Sequence, residues 1–148
     1  MSAMSNYLEN KLVDYIFRQQ AYTAPANTWI GLLTTSTNDA NTGQTEVSGG
    51  GYSRVRIASS LLNWSGTDSS SSTSTSSGTS GTTYNINAIT FPVPTGANWG
   101  VITSFGMYDA ATGGNLLFYG NLTTQKTVND GDAAPTFSAA ALSIQLDN

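Results

Sequence analysis

The chain contains no cysteine and no histidine, and it carries few charges of either sign. Charged residues make up 9% of its 148 positions, against about 25% in typical globular proteins. Without cysteine or histidine, the sequence excludes a Ser-His-Asp triad, a Cys-His nucleophile, a disulfide and a thiolate metal site. Low charge also removes long-range repulsion between like copies, which favours a surface that contacts other protein.

The basic residues are too few and too scattered for nucleic-acid binding. A protein that binds phosphates needs a cluster of cations to displace counterions. The net charge here is −4 and there are five basic residues. They are Lys11, Arg18, Arg54, Arg56 and Lys126. We therefore expect no nucleic-acid partner.

Long apolar runs are also missing. No stretch approaches the roughly 18 apolar residues that a membrane helix needs, so we expect no membrane partner. The N-terminus has no basic region followed by an apolar run, so no secretory signal is expected. The length predicts one domain over residues 1–148. The chain is expected to be made in the cytoplasm and kept there or released by lysis.

Residues 6–18 are predicted to form a helix. Asn6 followed by Glu9 fits an N-cap with its partner three residues later. Four apolar residues recur at i, i+4, i+7 and i+8 and make one stripe. They are Leu8, Leu12, Tyr15 and Ile16.

Two interpretations of this stripe stay open. The first is a helix that packs on the core of its own domain, as amphipathic helices usually do. The second is a helix that docks on a neighbouring subunit, in which case the four stripe residues form the candidate docking site. Trp64, at the base of a Ser/Thr-rich segment, is a further docking candidate.

The rest of the chain has the pattern of a β protein. "TWIGLLTT" reads as a strand buried on both faces, and "SRVRIAS" alternates between arginines and aliphatic residues. "WGVITSFGMY" places Trp99, Val101, Phe105 and Met107 on one face. The predicted strands are 28–35, 53–59, 84–91, 99–108, 115–122 and 136–146. Together with the helix, they predict a mainly β fold, a single β-sandwich or jelly-roll-like domain.

Two polar segments interrupt the strands. Residues 36–51 are predicted to be a long loop ending in three glycines. Residues 65–83 contain only Ser, Thr, Gly and one Asp, so they cannot build a core. The second segment is expected to be a mobile loop or an arm that orders against a partner.

The sequence offers little to a catalytic interpretation. No Gly-x-Ser-x-Gly elbow, P-loop or dinucleotide fingerprint is present, so we expect no catalytic residue and no cofactor. Carboxylates lie in or beside loops, where a solvated side chain is the expected state, at Asp39, Glu46, Asp109, Asp130 and Asp132. The spacing of a dedicated calcium loop is missing around "NDGD", and a turn is expected there in place of a metal at Asp130 and Asp132.

Tryptophans are the candidates for a sugar-binding surface. Trp29 and Trp99 lie on predicted strands, where they are expected to fill the core. Trp64 lies between a predicted strand and the Ser/Thr-rich segment. A host glycan therefore stays an open candidate as a partner, alongside protein.

Four segments together resemble a family of small tailed-bacteriophage virion proteins, often labelled tail fibre or virion structural proteins. They read "LENKLVDYIF", "YTAPANTWIGLLTT", "TEVSGGGYSRV" and "ITFPVPTGANWGVITSFGMYDAATGGNLLFYGNLTTQKTVNDGD". The resemblance covers almost the whole chain except the Ser/Thr-rich run, which looks like an insertion. The hairpin "FGMYDAATGGNLLFYGNL" is similar to one in fibre and baseplate-attached domains.

The resemblance implies a non-enzymatic structural protein located in the virion, with other virion proteins as partners. It also implies a homo-oligomer, for which a trimer is one candidate. The leading hypothesis is a decoration protein that clamps the major capsid protein on the outside of the head. The alternative is a tail-fibre, tail-adaptor or receptor-binding component that contacts a host glycan. An enzyme such as a depolymerase is a distant third.

Overall fold

The chain is built mainly from β-strands, with one helix near its N-terminus. The computed structural model describes residues 2–146. Strands account for 36% and helix for 8%, which confirms the mainly β class. The elements are β1 (Ser2–Met4), α1 (Asn6–Phe17), β2 (Asn27–Thr35), β3 (Thr45–Glu46), β4 (Val55–Ala58), β5 (Thr82–Tyr84), β6 (Ile89–Thr90), β7 (Gly100–Tyr108), β8 (Leu116–Val128), β9 (Thr136–Phe137) and β10 (Ser143–Gln145).

The main sheet has six strands, and within the described chain every pairing is antiparallel. Its order is β1-β8-β7-β2-β3, and β4 pairs with the first half of β2. The strand β2 lies in the middle, with β7 along one edge and both β3 and β4 along the other. Residues 30–33 are all buried, as the sequence predicts for a strand covered on both faces.

Two ribbons form a second layer against the main sheet. One pairs β5 with β10, and the other pairs β6 with β9. Apolar side chains of both ribbons join the core of the main sheet. The ring of Phe137, for example, lies edge-on to the ring of Phe105 at 6.3 Å. The arrangement is sandwich-like, with the second layer split into two ribbons.

Helix α1 agrees with the predicted span within one residue, but its cap differs. The N-cap is Ser5, whose hydroxyl accepts a hydrogen bond from the backbone N–H of Leu8. The prediction of Asn6 as the cap was wrong. Ser5 is buried and its hydroxyl also donates to the carbonyl of Leu116, so one side chain caps the helix and ties it to β8.

Two predicted strands are interrupted by the same residue. Asn85 directly follows the last residue of β5, and its buried amide donates to the carbonyls of Asn87 and Ser138. Its oxygen accepts from the N–H of Leu142. These bonds replace ladder bonds at both places, so the predicted strands 84–91 and 136–146 each divide between the two ribbons.

The predicted face of β7 is also interrupted. Val101 is 44% exposed, while its neighbour Ile102 is buried. The register against β8 shifts between Ile102 and Ser104. A bulge of this kind inverts which side chains point inward, so the prediction that Val101 shares a face with Phe105 was wrong.

Candidate functional site

Helix α1 divides into a packed half and an exposed half. Leu8 is buried in the hydrophobic core, and Leu12 packs against that core. Tyr15 and Ile16, which the sequence places on the same stripe, are exposed. The first two members of the stripe thus hold the helix on the core and the last two face solvent, so docking on a neighbouring subunit stays a prediction.

The exposed half of α1 carries more apolar surface than the stripe alone. Phe17 is 77% exposed and Ile16 is 62% exposed, and both Val13 and Tyr15 are also exposed. Val13, Ile16 and Phe17 stand at i, i+3 and i+4, so they share one helix face. We call Val13, Ile16 and Phe17 the helix-end patch; Tyr15 lies on another side of the helix. Exposed apolar patches on soluble proteins commonly mark interaction sites.

Val13 and Phe17 were missed in the sequence because the stripe through Leu8 uses a different side of the helix. The signal that could have found them is the second i, i+3, i+4 set on the same helix. An amphipathic surface helix has one apolar stripe facing the core. A second apolar stripe makes the outer face a candidate interaction surface.

Trp64 lines an apolar cavity on the ribbon side of the main sheet. The cavity volume is about 210 Å³. Its walls come from three parts of the fold: the main sheet, the β5–β10 ribbon and the turn before Trp64. The lining residues are Thr28, Ser59, Trp64, Thr83, Met107, Phe118, Ile144 and Leu146. We call this the Trp64 cavity.

The turn that leads into Trp64 adds apolar surface beside the cavity. Leu61 and Leu62 lie between the lining residues Ser59 and Trp64, and both are exposed. The turn is closed by hydrogen bonds from the Asn63 and Trp64 backbone N–H groups to the Ser60 carbonyl. The tryptophan that the sequence left ambiguous is thus a partly buried cavity wall.

A buried ion pair dominates the electrostatics of the opposite face. Arg54 binds Glu46 through two parallel hydrogen bonds of 2.8 and 2.7 Å. The Arg54 side chain is only 7% exposed and that of Glu46 is 26% exposed. The guanidinium also lies 3.5 Å above the centroid of the Tyr108 ring. A paired, bidentate arginine of this kind is strongly oriented.

The same arginine holds the tip of the β7–β8 hairpin. Its Nη1 donates to the carbonyls of Ala110 and Gly113, at 2.9 and 2.8 Å. At the base of the tip, both carboxylate oxygens of Asp109 accept hydrogen bonds from Asn115. We call residues 109–115 the hairpin tip. Its backbone is fixed by two charged side chains.

Tyr52 completes this cluster. Its hydroxyl donates to Glu46 Oε1 at 2.9 Å and accepts from the N–H of Leu32 at 2.8 Å. Burial, followed by the nearby Glu46 carboxylate, raises the pKa of Tyr52 well above its ordinary value. The same two causes raise the pKa of Tyr108. Both phenols therefore stay neutral.

Two glycines make room for the cluster on the sheet. A Cβ at Gly106 would come within 2.7 Å of the Tyr108 ring, and one at Gly31 within 2.8 Å of Glu46 Oε1. The aromatic ring and the ion pair therefore lie directly on the backbone of β2 and β7. This close packing makes the cluster a structural clamp, which we call the Arg54 clamp.

Two more loop carboxylates, those of Asp130 and Asp132, accept hydrogen bonds from backbone N–H groups. Asp130 accepts from the N–H of Gly96, and Asp132 accepts from the N–H of Asn129. Within residues 2–146, no three His, Cys, Asp or Glu side chains are grouped so that they could hold a metal ion. Nor does any helix in this part of the chain have the length and apolar character to cross a bilayer.

The comparison with protein families gives one finding. The model of the family described as "Podophage GP4 fiber I protein gp80" matches residues 3–145. No curated protein matches the chain. The family match confirms the resemblance to tailed-bacteriophage virion proteins that the sequence motifs indicated.

Proposed function

We propose, from the premise that this chain belongs to the family of the podophage GP4 fiber I protein gp80, that it is a non-enzymatic fibre component. The chain is a phage structural protein, located in the virion with other virion proteins. The observation that carries the fibre assignment is the match over residues 3–145 to a family described as a fibre protein.

The surfaces of the molecule support assembly with protein. The helix-end patch and the Trp64 cavity are both apolar and both open to solvent. The ion pair between Arg54 and Glu46 is largely buried, and Arg54 also donates a hydrogen bond to the hairpin tip. A fixed tip and apolar docking surfaces fit a small domain that is built into a larger particle.

A head decoration protein is the second candidate. The sequence has neither coiled-coil heptads nor a shaft repeat, which argues against a complete fibre. Decoration would stabilise the assembled head by mass action. Binding of a host glycan, which a receptor-binding component needs, stays a prediction for the fibre candidate.

Copy number and position in purified particles separate the two candidates. A fibre component predicts a few dozen copies at most, with density of the domain at the tail. Decoration predicts hundreds of copies spread over the head. Quantitative mass spectrometry of banded particles, with a reconstruction of the same sample, measures both. Absence of the chain from the particles would overturn both candidates.

A further inference from the structure

We propose that a groove between β8 and the segment 137–143 binds an acidic saccharide, with Lys126 as the cation for a sugar carboxylate and Phe137 as the platform for a sugar ring. The inference rests on the proposed function, because a fibre component that recognises a host needs a surface for a host glycan. It goes further by assigning that surface to named residues and by giving the charge of the ligand.

The groove lies where the chain passes from one ribbon of the second layer to the other. Its larger part is an open hollow of about 290 Å³, with β8 on one side and both Phe137 and Ser143 on the other. A smaller hollow of about 70 Å³ adjoins it. Leu122, Lys126 and Phe137 line both hollows. We call the two hollows together the Lys126 groove.

A bulge in β8 builds one wall of the groove. The register pairs Asn121 with Ser104. The next pair joins Lys126 to Ile102, so β8 advances five residues where β7 advances two. Residues 122–124, which belong to this excess, all line the groove. Bulges re-aim side chains and are over-represented beside active sites, so this one brings to the groove neighbours that a regular strand would place on opposite faces.

Lys126 is a cation on the core face of the main sheet. Its cross-strand partner Ile102 is buried in the core, and directly opposite partners share a face. Lys126 itself is exposed, at the place where the groove opens the second layer. The inner faces of a sandwich interdigitate to form its core, so packing does not account for a lysine here.

The charge of the groove favours an anionic ligand. Neither hollow is lined by Asp or Glu. Arg18 and Arg54 are each paired with a carboxylate, whereas Lys126 forms no ion pair within the described chain. The Lys126 ammonium is therefore available to a carboxylate of the ligand, with which it makes a charge-assisted hydrogen bond.

Phe137 gives the groove an aromatic platform that is fixed before a ligand arrives. Its side chain is half-buried. The rings of Phe91 and Phe105 lie edge-on to it, with centroids 6.2 and 6.3 Å away, and such aromatic pairs are favourable. A sugar ring presents C–H groups on one face, and these pack against an aromatic ring.

Hydroxyl groups lie around this platform. Thr123, Thr124 and Ser143 are exposed and line the larger hollow. Each hydroxyl both donates and accepts hydrogen bonds, as a sugar hydroxyl also does. An apolar surface with a few polar groups around it is the usual composition of a small-molecule site. Together with the lysine, these groups favour a sugar that carries a carboxylate.

Binding of an oligogalacturonate, in which every sugar ring carries a carboxylate, tests the proposal on the purified full chain. Its methyl ester is the control ligand, because it has the same rings without the charge. Isothermal titration calorimetry measures affinity, and two-dimensional amide NMR spectra locate the site. We expect the acid to shift resonances of residues 122–126 and of Phe137, and the ester to bind about tenfold more weakly.

Two substitutions remove one part of the site each. Lys126→Gln removes the charge, and Thr124→Val removes a hydroxyl while keeping the shape of the side chain. Both positions are exposed, so both variants should fold. We expect Lys126→Gln to weaken binding of the acid about tenfold and to leave binding of the ester unchanged. Thr124→Val should weaken binding of both about threefold.

Lys11→Gln is the matched control variant. Lys11 lies on α1, where its ammonium is 5.7 Å from the centroid of the Tyr7 ring, and it does not line the groove. The control should bind the acid as the unchanged chain does. No binding of the acid, equal binding of acid and ester, or an unchanged affinity of Lys126→Gln would each overturn the proposal.

An acidic peptide is the competing ligand. If poly-glutamate displaces the oligogalacturonate at an equal concentration of carboxylates, the groove is a site for acidic peptides and the saccharide assignment is wrong. If poly-glutamate does not displace it, the sugar rings contribute to binding as proposed.

The two proposals fail separately. If the chain is found at the tail of purified particles but does not bind the oligogalacturonate, the saccharide site is wrong and the fibre role stands. If the chain binds it through Lys126 but is absent from particles or spread over the head, the site stands and the fibre role is wrong.

Discussion

The hairpin tip and the Ser/Thr-rich loop of residues 66–81 are both polar, exposed connections, but they are held in different ways. The hairpin tip is bonded to a buried arginine and to Asp109 at its base. In the loop, hydrogen bonds link Thr67 to Gly78 and Ser80. Within the described chain, the hydrogen bonds of residues 68–79 all stay inside the loop.

The difference shows that composition alone does not decide how a loop is fixed. Both segments are rich in Gly, Thr and other small polar residues. Only the hairpin tip receives a charged side chain from the domain, and charge-assisted hydrogen bonds are roughly twice as strong as neutral ones. We therefore expect the tip to share the stability of the main sheet, and the loop to contribute little to it.

Replacing Arg54 with Met should have the largest effect. The change leaves the partly buried Glu46 carboxylate without its cation and frees the carbonyls of Ala110 and Gly113. Breaking a buried pair by removing one partner costs about 3–5 kcal/mol. Because Glu46 retains some exposure, we expect the free energy of unfolding to fall by about 3 kcal/mol. Urea or guanidinium unfolding measures it.

Arg56→Met is the matched control. Arg56 lies two residues away on β4 and is exposed. Exposed substitutions away from such features usually change stability by about 0.5 kcal/mol or less. Equal effects of the two substitutions would contradict the assignment of Arg54 as a clamp.

Replacing glycines at the hairpin tip should have an intermediate effect, with a difference between neighbours. Gly113 and Gly114 both have positive φ, at 60° and 73°, and Ala in this region costs about 1–2 kcal/mol. A Cβ at Gly113 would meet open space, whereas one at Gly114 would come within 2.6 Å of Asp109 Oδ1. That oxygen accepts the N–H of Asn115.

We therefore expect Gly113→Ala to lower the free energy of unfolding by about 1 kcal/mol. Gly114→Ala should lower it by about 2 kcal/mol, because it also disturbs the hydrogen bond at the base of the tip. The two variants differ by one position, so unfolding curves recorded side by side isolate the effect of the contact. A larger effect at Gly113 would show that the tip is not held at Asp109.

Local patterns predicted the fold class and the helix span, because both depend on residues close in sequence. The apolar run around Ile30 and the spacing of Leu8 and Leu12 are examples. The Arg54 clamp could not be predicted, since it joins β3, the residue before β4 and the hairpin tip. "SRVRIAS" shows that the two arginines share a face, but only the fold tells which of them meets Glu46.

The candidate site was predicted only in part, for a similar reason. Periodicity identifies an apolar stripe but not how far the supporting sheet extends beneath the helix. Leu8 is buried in the core, whereas Ile16 is exposed. The environment of Trp64 depends on Phe118 and Ile144, which are distant in sequence, so its role as a cavity wall becomes visible only in the folded chain.

Shortening the Ser/Thr-rich loop should have the smallest effect of all. Thr67 Oγ1 accepts the N–H of Gly78 at 3.0 Å, so the chain ends left by removing residues 68–77 already lie side by side. Joining them through Gly-Gly keeps β5 and its pairing with β10, which begins at Thr82. A shorter closed loop costs less entropy, by less than about 1 kcal/mol at this length. We expect an unchanged or slightly higher melting temperature for the shortened chain. A clear decrease would mean that the loop packs on the domain as firmly as the hairpin tip does, and the contrast between the two connections would then be lost.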